Sequence, residues 1–166
     1  MIDRDLVCAC GEVHIALKGE PMVSAKCFCD DCQAAGAFFA NAPYAQKMLD
    51  ADHGTGFDLY RKDRYEITMG ADKLEPIKTK ERSITNRNVA TCCNSVLFAS
   101  FDRGPHWVSV YRNHVAGPPR KFDHFIQTKF APAPFAPPKG INAAKTYPPS
   151  MMAKLMFERL RMTVGF

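Results

Sequence analysis

Seven cysteines in 166 residues fall into three groups, Cys8-Ala-Cys10, Cys27-Phe-Cys29-Asp-Asp-Cys32 and Cys92-Cys93. A C-x-C pair in an extended chain carries both thiols on one face, because strand side chains alternate. A C-x-x-C turn brings two thiolates within one tetrahedral shell. Zinc suits such sets: it accepts thiolate, needs no redox partner, and is held by sulfur at about 2.3 Å. Seven is odd, so complete internal disulfide pairing is excluded. Two other readings exist for these thiols. One is buried free cysteine acting as a small hydrophobe. The other is a redox pair at Cys29 and Cys32, which lacks the β-α-β context of such pairs. The pattern predicts one or two Zn2+ ions per chain. The stretch from Cys32 to Cys92 must close in space if both ends serve one ion, which makes metal binding part of folding.

Other side chains with chemical potential are fewer. The histidines His14, His53, His106, His114 and His124 read as surface or hydrogen-bonded core, with His14 pointing outward from a strand. Asp30 and Asp31 lie between two cysteines of the triad. One of them could accept a proton, but capping of the following helix is favoured, where the dipole stabilises acids. Phe38, Phe39 and Tyr44 could wall a pocket, although core packing suits the phenylalanines better. Lys80, Arg82 and Arg87 precede Cys92 and could meet a carboxylate-bearing substrate, with a solvated strand face as the favoured reading. No phosphate-binding glycine loop, dinucleotide fingerprint or nucleophile elbow is present.

These residues need elements to hold them. Val13–Leu17, Met22–Cys27, Ala37–Ala40, Phe57–Tyr60, Tyr65–Met69, Val96–Ala99 and Trp107–Tyr111 read as short strands. Phe122–Ile126 could add another. Asp30–Ala35 reads as a short helix stopped by Gly36, and Tyr44–Asp50 as a second. Many short strands separated by turn residues predict a mainly β, antiparallel domain. Eight of the twelve prolines lie between Pro118 and Pro149, so residues 131–149 should be extended and irregular. A terminal helix then follows Ser150 over Met151–Arg161, with Met152, Leu155, Met156 and Leu160 at helical spacing. The chain thus divides into a β domain, residues 1–130, and a tail, residues 131–166, whose helix packs on the domain or on a partner.

Cys8-Ala-Cys-Gly-Glu-Val13, Gly19-Glu-Pro21 and Cys27-Phe-Cys-Asp-Asp-Cys32 with the following Gly36 resemble the glutathione-dependent formaldehyde-activating family, which includes centromere protein V-type domains. The resemblance runs from about Leu6 to about Lys129, with His124-Phe-Ile-Gln-Thr-Lys129 similar to a late family strand. It implies tent-like antiparallel β-sheets around zinc sites. In some members it implies lyase chemistry on the adduct of glutathione and formaldehyde. Cys8 and Cys10 match the first pair of the family's structural zinc site, and Cys93 the second cysteine of a late C-x-x-C. The first cysteine of that motif falls on Ala90. Adjacent strand residues point to opposite faces, so Cys92 and Cys93 reach one ion together only if the backbone turns sharply there. Otherwise the site has three cysteines and another ligand, or stays empty. Asn94 replaces the usual glycine and tolerates a left-handed conformation. Cys27, Cys29 and Cys32 match the second zinc site. Three protein ligands leave the open position of a catalytic zinc, unless a residue such as histidine closes it.

The net charge of +5, without a long basic run, reads as ordinary solubility charge, and no nucleic-acid partner is expected. No apolar run approaches a membrane span. The N-terminus lacks an apolar signal region, which with the clustered thiols points to a cytoplasmic, reducing compartment. An oligomer is compatible with all of this. Two functions compete. One is a zinc-dependent carbon–sulfur lyase or thiol-adduct enzyme resembling S-(hydroxymethyl)glutathione synthase. The other is a non-catalytic zinc module that binds a protein or chromatin partner.

Overall fold

The structure is a computed structural model that describes residues 3–40 and 47–165. Eleven strands are described in chain order: β1 Arg4–Val7, β2 His14–Leu17, β3 Val23–Cys27, β4 Thr55–Arg61, β5 Tyr65–Met69, β6 Leu74–Ile77, β7 Thr85–Ala90, β8 Ser95–Phe101, β9 Trp107–Tyr111, β10 His124–Ile126 and β11 Asn142–Ala143. Helix α1 spans Asp30–Phe39 and α2 spans Pro149–Thr163. The fold is mainly β, as the short alternating segments predict.

Strands β1, β2 and β5 form a small antiparallel sheet. The other eight form a large sheet in the order β11-β10-β3-β4-β9-β8-β7-β6. Its pairings are antiparallel except those of β10, which runs parallel to both β3 and β11. A parallel neighbour requires a long return of the chain, and the stretch after β9 supplies it.

Alternation along the large sheet gives each face its own task. One face sets Tyr60, Phe98, Val108 and Val110 against Leu6, Val13, Ile15 and Leu17 of the small sheet. The opposite face carries Ala25, Cys27, Phe57, Leu59, Ser109 and Tyr111. There Val23, Ala25, Leu59 and Ile126 meet Met151 and Leu155 of α2, and Val89, Val96 and Tyr111 meet Ala35 and Phe39 of α1.

Four local expectations are corrected. Gly36 does not stop α1, which runs on to Phe39, so Ala37–Ala40 is not a strand. Gly36 is needed for a different reason: a Cβ there would collide with the Leu49 side chain. The segment Tyr44–Asp50 is not a helix where it is described, over residues 47–50; Tyr44 lies outside the described residues. Helix α2 starts at Pro149 with Pro148 as its cap, not Ser150, in keeping with the fixed φ of proline at a first helical position. Its buried face is Met151, Leu155 and Glu158, whereas Met152, Met156 and Leu160 are exposed. The rotation follows the charges. Glu158 faces the buried Arg61 at 3.6 Å and accepts from Arg161 at 2.9 Å, so the stripe chosen includes the ion pair.

The tail also joins the body elsewhere. Ala144 N–H donates to Phe125 O, Thr128 N–H donates to Ala144 O, and the Phe135 ring stacks edge-on against Phe28 at 4.8 Å. Among the described residues, no helix is long and apolar enough to cross a membrane.

Candidate active site

The structure gathers the seven cysteines into two groups. Cys8, Cys10, Cys92 and Cys93 form one, and Cys27, Cys29 and Cys32 the other; within each, the sulfur atoms lie within 4.8 Å of one another.

The four-cysteine group joins two turns distant in sequence. Cys8 to Gly11 is a turn closed by Gly11 N–H donating to Cys8 O at 3.0 Å, so this C-x-C pair converges by a turn and not by strand alternation. Cys92 and Cys93 sit in the β7–β8 connection, where Cys93 N–H donates to Ala90 O at 3.2 Å and Asn94 adopts φ 57°. The sharp turn required for both thiols to face one point is therefore present. Ala90, where the family motif has its cysteine, is fully buried in the core. The sulfur separations are 3.5 Å for Cys8–Cys10, 3.8 Å for Cys8–Cys92, 3.3 Å for Cys10–Cys92 and 3.9 Å for Cys92–Cys93. Four sulfurs placed tetrahedrally about 2.3 Å from an ion stand roughly 3.8 Å apart, so the donor set fits zinc in number, chemistry and spacing. Ser95 braces it, with its hydroxyl 3.1 Å from the Cys93 sulfur and accepting from Ala9 N–H at 3.0 Å. Burial opposes ionisation of Cys93, but hydrogen bonds from Ser95 and backbone amides hold it down to about 6. Burial and the neighbouring thiols push Cys92 up.

The triad is built on the β3–α1 junction. Cys27 ends β3. Cys29 caps α1 and its sulfur accepts from Cys32 N–H at 3.4 Å. Cys32 follows in the first turn. Asp30 and Asp31 also occupy that turn, so the cap itself is the cysteine and the two acids add to the dipole interaction. Gln33 ties the junction down by donating to Phe28 O at 2.7 Å and to Phe130 O at 3.0 Å. Hydrogen bonds from the Cys27 and Cys32 thiols hold Cys29 down to about 3, while Cys27, donating to that thiolate, is pushed up to about 12. Cys32 is raised by the same thiols and by burial. Ionisation of one thiol thus opposes that of the other two, and a cation among them would favour the thiolate forms. A soft divalent ion is such a cation, so this donor set also fits zinc. Among the described residues, no histidine or carboxylate joins the triad.

A cavity of about 320 Å³ opens on the triad and not on the four-cysteine group. The inner face of the large sheet forms its floor. Arg87 pairs with Ala99, Ala99 with Ser109, and Ser109 with Leu59 across β7, β8, β9 and β4, so small side chains at the centre leave space between larger ones. Phe57, Phe101, Trp107, Tyr111 and Tyr147 supply aromatic walls, and Met151, Met152 and Leu155 of α2 close one side. Burial pushes the Tyr147 hydroxyl up to about 12 and also raises that of Tyr111, so both stay protonated; Tyr147 accepts a hydrogen bond from Gln127 and Tyr111 one from Arg87.

Sequence reasoning missed most of this wall. The signal was present as period-two spacing of Phe57 with Leu59, Trp107 with Ser109 and Tyr111, and Thr85 with Arg87. Phe38 and Phe39, considered as walls, do not line the cavity. Phe39 packs in the core and Phe38 is exposed. Lys80 and Arg82 are solvated as expected, with Lys80 paired to Asp31, but Arg87 is buried and faces the cavity. His124 is half-buried on β10, beside Ala25. His14 is half-buried as well and bonds Gly11 O at 3.0 Å.

Residues 4–58 match the family described as glutathione-dependent formaldehyde-activating enzyme. No curated protein matches the chain. Among solved structures, the crystal structure of a Rhodobacter sphaeroides protein aligns with 71% of this chain and 91% of its own, at 16% identity and a TM-score of 0.49. The matched stretch, residues 4–58, holds five of the seven cysteines, and over it the chain is similar to the glutathione-dependent formaldehyde-activating enzyme family.

Proposed function

We propose that this protein makes or breaks the carbon–sulfur bond of a thiol–aldehyde adduct at a zinc site held by Cys27, Cys29 and Cys32. Cys8, Cys10, Cys92 and Cys93 hold a second, structural ion in this reading. The observation that carries it is the cavity: Cys27, Cys29 and Cys32 line it, and the four-cysteine group does not. Three donors beside a cavity suit catalysis, and four donors complete a tetrahedron. Residues 1–130 form the metal-binding β domain and residues 131–166 the tail that closes the cavity.

Bound at the triad, zinc would supply Lewis-acid stabilisation of thiolate and polarisation of the adduct's oxygen. The chain's own residues do the rest. Cys32 N–H and the α1 dipole favour negative charge at Cys29. The aromatic walls exclude water and strengthen polar contacts inside. Tyr111 donates a hydrogen bond toward developing charge without titrating. In the cleavage direction the adduct R–S–CH2–OH gives R–SH and CH2=O: the carbon–sulfur bond breaks, its electron pair stays on sulfur, and the hydroxyl proton ends there.

Exchange NMR of thiol–formaldehyde adducts, with glutathione and with simple mercaptocarboxylates, tests this function. Metal-replete protein should accelerate exchange for at least one of these thiols, and the Cys29→Ser variant should not. An unchanged rate with every thiol would leave the alternative, a zinc module without catalysis.

A further inference from the structure

Arg87 is 5% exposed, yet among the described residues no carboxylate pairs with it. Its Nη1 donates to Thr79 Oγ1 at 3.3 Å and its Nη2 to Asp31 O at 3.4 Å, both long, and the guanidinium donates a further hydrogen bond to the Tyr111 hydroxyl. Its Nε is buried without any partner. A guanidinium taken out of water without a counter-charge is strongly disfavoured, so such a residue facing a cavity points to an anion that arrives from outside. Asp31, the other charged side chain lining the cavity besides the cysteines, is already engaged by Lys80.

We propose that this cavity selects a small, largely apolar thiol bearing a single carboxylate, or its aldehyde adduct, with Arg87 as the residue that binds the carboxylate. The inference deepens the carbon–sulfur reading and rests on it for the thiol. The Asp31 carbonyl that meets Arg87 lies in the chain between Cys29 and Cys32, and Arg87 lines the same cavity as the triad, so a carboxylate on Arg87 shares that cavity with a thiol at the triad. The remaining walls, Phe57, Phe101, Trp107 and Leu155 among them, suit a ring or branched alkyl chain. Glutathione fits this charge pattern poorly. It carries two carboxylates and an ammonium, whereas among the described residues the cavity lining offers one cation without a carboxylate partner, Arg87, and one acid, Asp31, already paired with Lys80.

Trp107 is the sole tryptophan and stands in the wall, so its emission reports occupancy. Metal-replete full-length protein is titrated with 3-phenylpropionate, with the uncharged isostere 3-phenylpropan-1-ol, and with glutathione. The carboxylate should bind at least about tenfold more tightly than the alcohol, the scale of a charge-assisted bidentate contact, and more tightly than glutathione. Arg87→Met should bring the carboxylate-to-alcohol ratio near one, and Arg87→Lys should keep part of it. The comparison on native protein stands even if a variant fails to fold. Equal binding of acid and alcohol, persistence of the preference in Arg87→Met, or tighter glutathione binding each overturns the proposal. Equal binding together with metal loss in Arg87→Met would make Arg87 a counter-charge to the thiolates instead. Both phenyl probes lack a thiol. A carboxylate preference without any catalysed exchange therefore sinks the lyase reading alone, and catalysed exchange without the preference sinks this one alone.

Discussion

Cys8, Cys10, Cys92 and Cys93 are brought together by turns, and Cys27, Cys29 and Cys32 by the junction of β3 and α1. Cys29 is at once helix cap and triad member, and its geometry follows from the break between β3 and α1. Substituting it removes one donor of three, and the remaining two cannot retain zinc against competing water. Cys29→Ser should therefore lower the zinc content measured by elemental analysis by about one ion per chain. Cys92→Ser should remove the other ion and leave the triad's in place. If either substitution strips both ions, the two groups are coupled through folding and not independent. Adjacent Cys92 and Cys93 looked incompatible with one ion on strand rules alone. The left-handed Asn94 and the Ala90–Cys93 turn resolve this, and an asparagine after two cysteines is the trace that such a turn leaves in sequence.

At the level of elements, α2 is fixed to the sheet by two apolar residues and one ion pair. Leu155, 2% exposed, packs against the triad's strand and lines the cavity. Leu155→Ala should cost about 2–5 kcal/mol in urea unfolding, the range for truncating a buried leucine. Met152→Ala on the exposed stripe should stay within about 0.5 kcal/mol. A similar cost for both would mean that the outer stripe is covered in solution. Seven of the eleven described strands were legible from alternation or apolar runs; β1, β6, β7 and β11 were not, and β6 and β11 bury too little to leave such a pattern. The helix face was not legible, since Met152, Leu155, Met156 and Leu160 are as periodic as the buried set. Only knowledge of Arg61 opposite Glu158 decides between them. Gly36 misled for a related reason: a glycine that marks close approach of Leu49 is indistinguishable, in one sequence, from a glycine that ends a helix. The parallel placement of β10 depends on a long return that no local pattern encodes.

For the whole molecule, the four-cysteine group links the turn after β1 to the turn after β7, 84 residues apart for Cys8 and Cys92. The small sheet therefore meets the large one both through its core and through this group. An ion held there stabilises the folded chain by its binding free energy, because the unfolded chain offers no assembled site. Chelation should lower the thermal midpoint by several degrees or more, as about 1 kcal/mol corresponds to roughly 2–4 °C for a chain of this size. Re-addition of zinc to the reduced protein should restore it. A midpoint indifferent to chelator would place all stability in the apolar core.

The closeness of Cys10 and Cys92 has a further side. Both are exposed, and their sulfurs are 3.3 Å apart. Without an ion between them, an oxidant needs to move these atoms only slightly to join them, and the resulting covalent strap would hold the same two turns together. Material aged in air would then keep its shape and its spectroscopic signature of folding while refusing fresh metal. A reductant added before any attempt at reloading is what separates a spent preparation from one that is only empty.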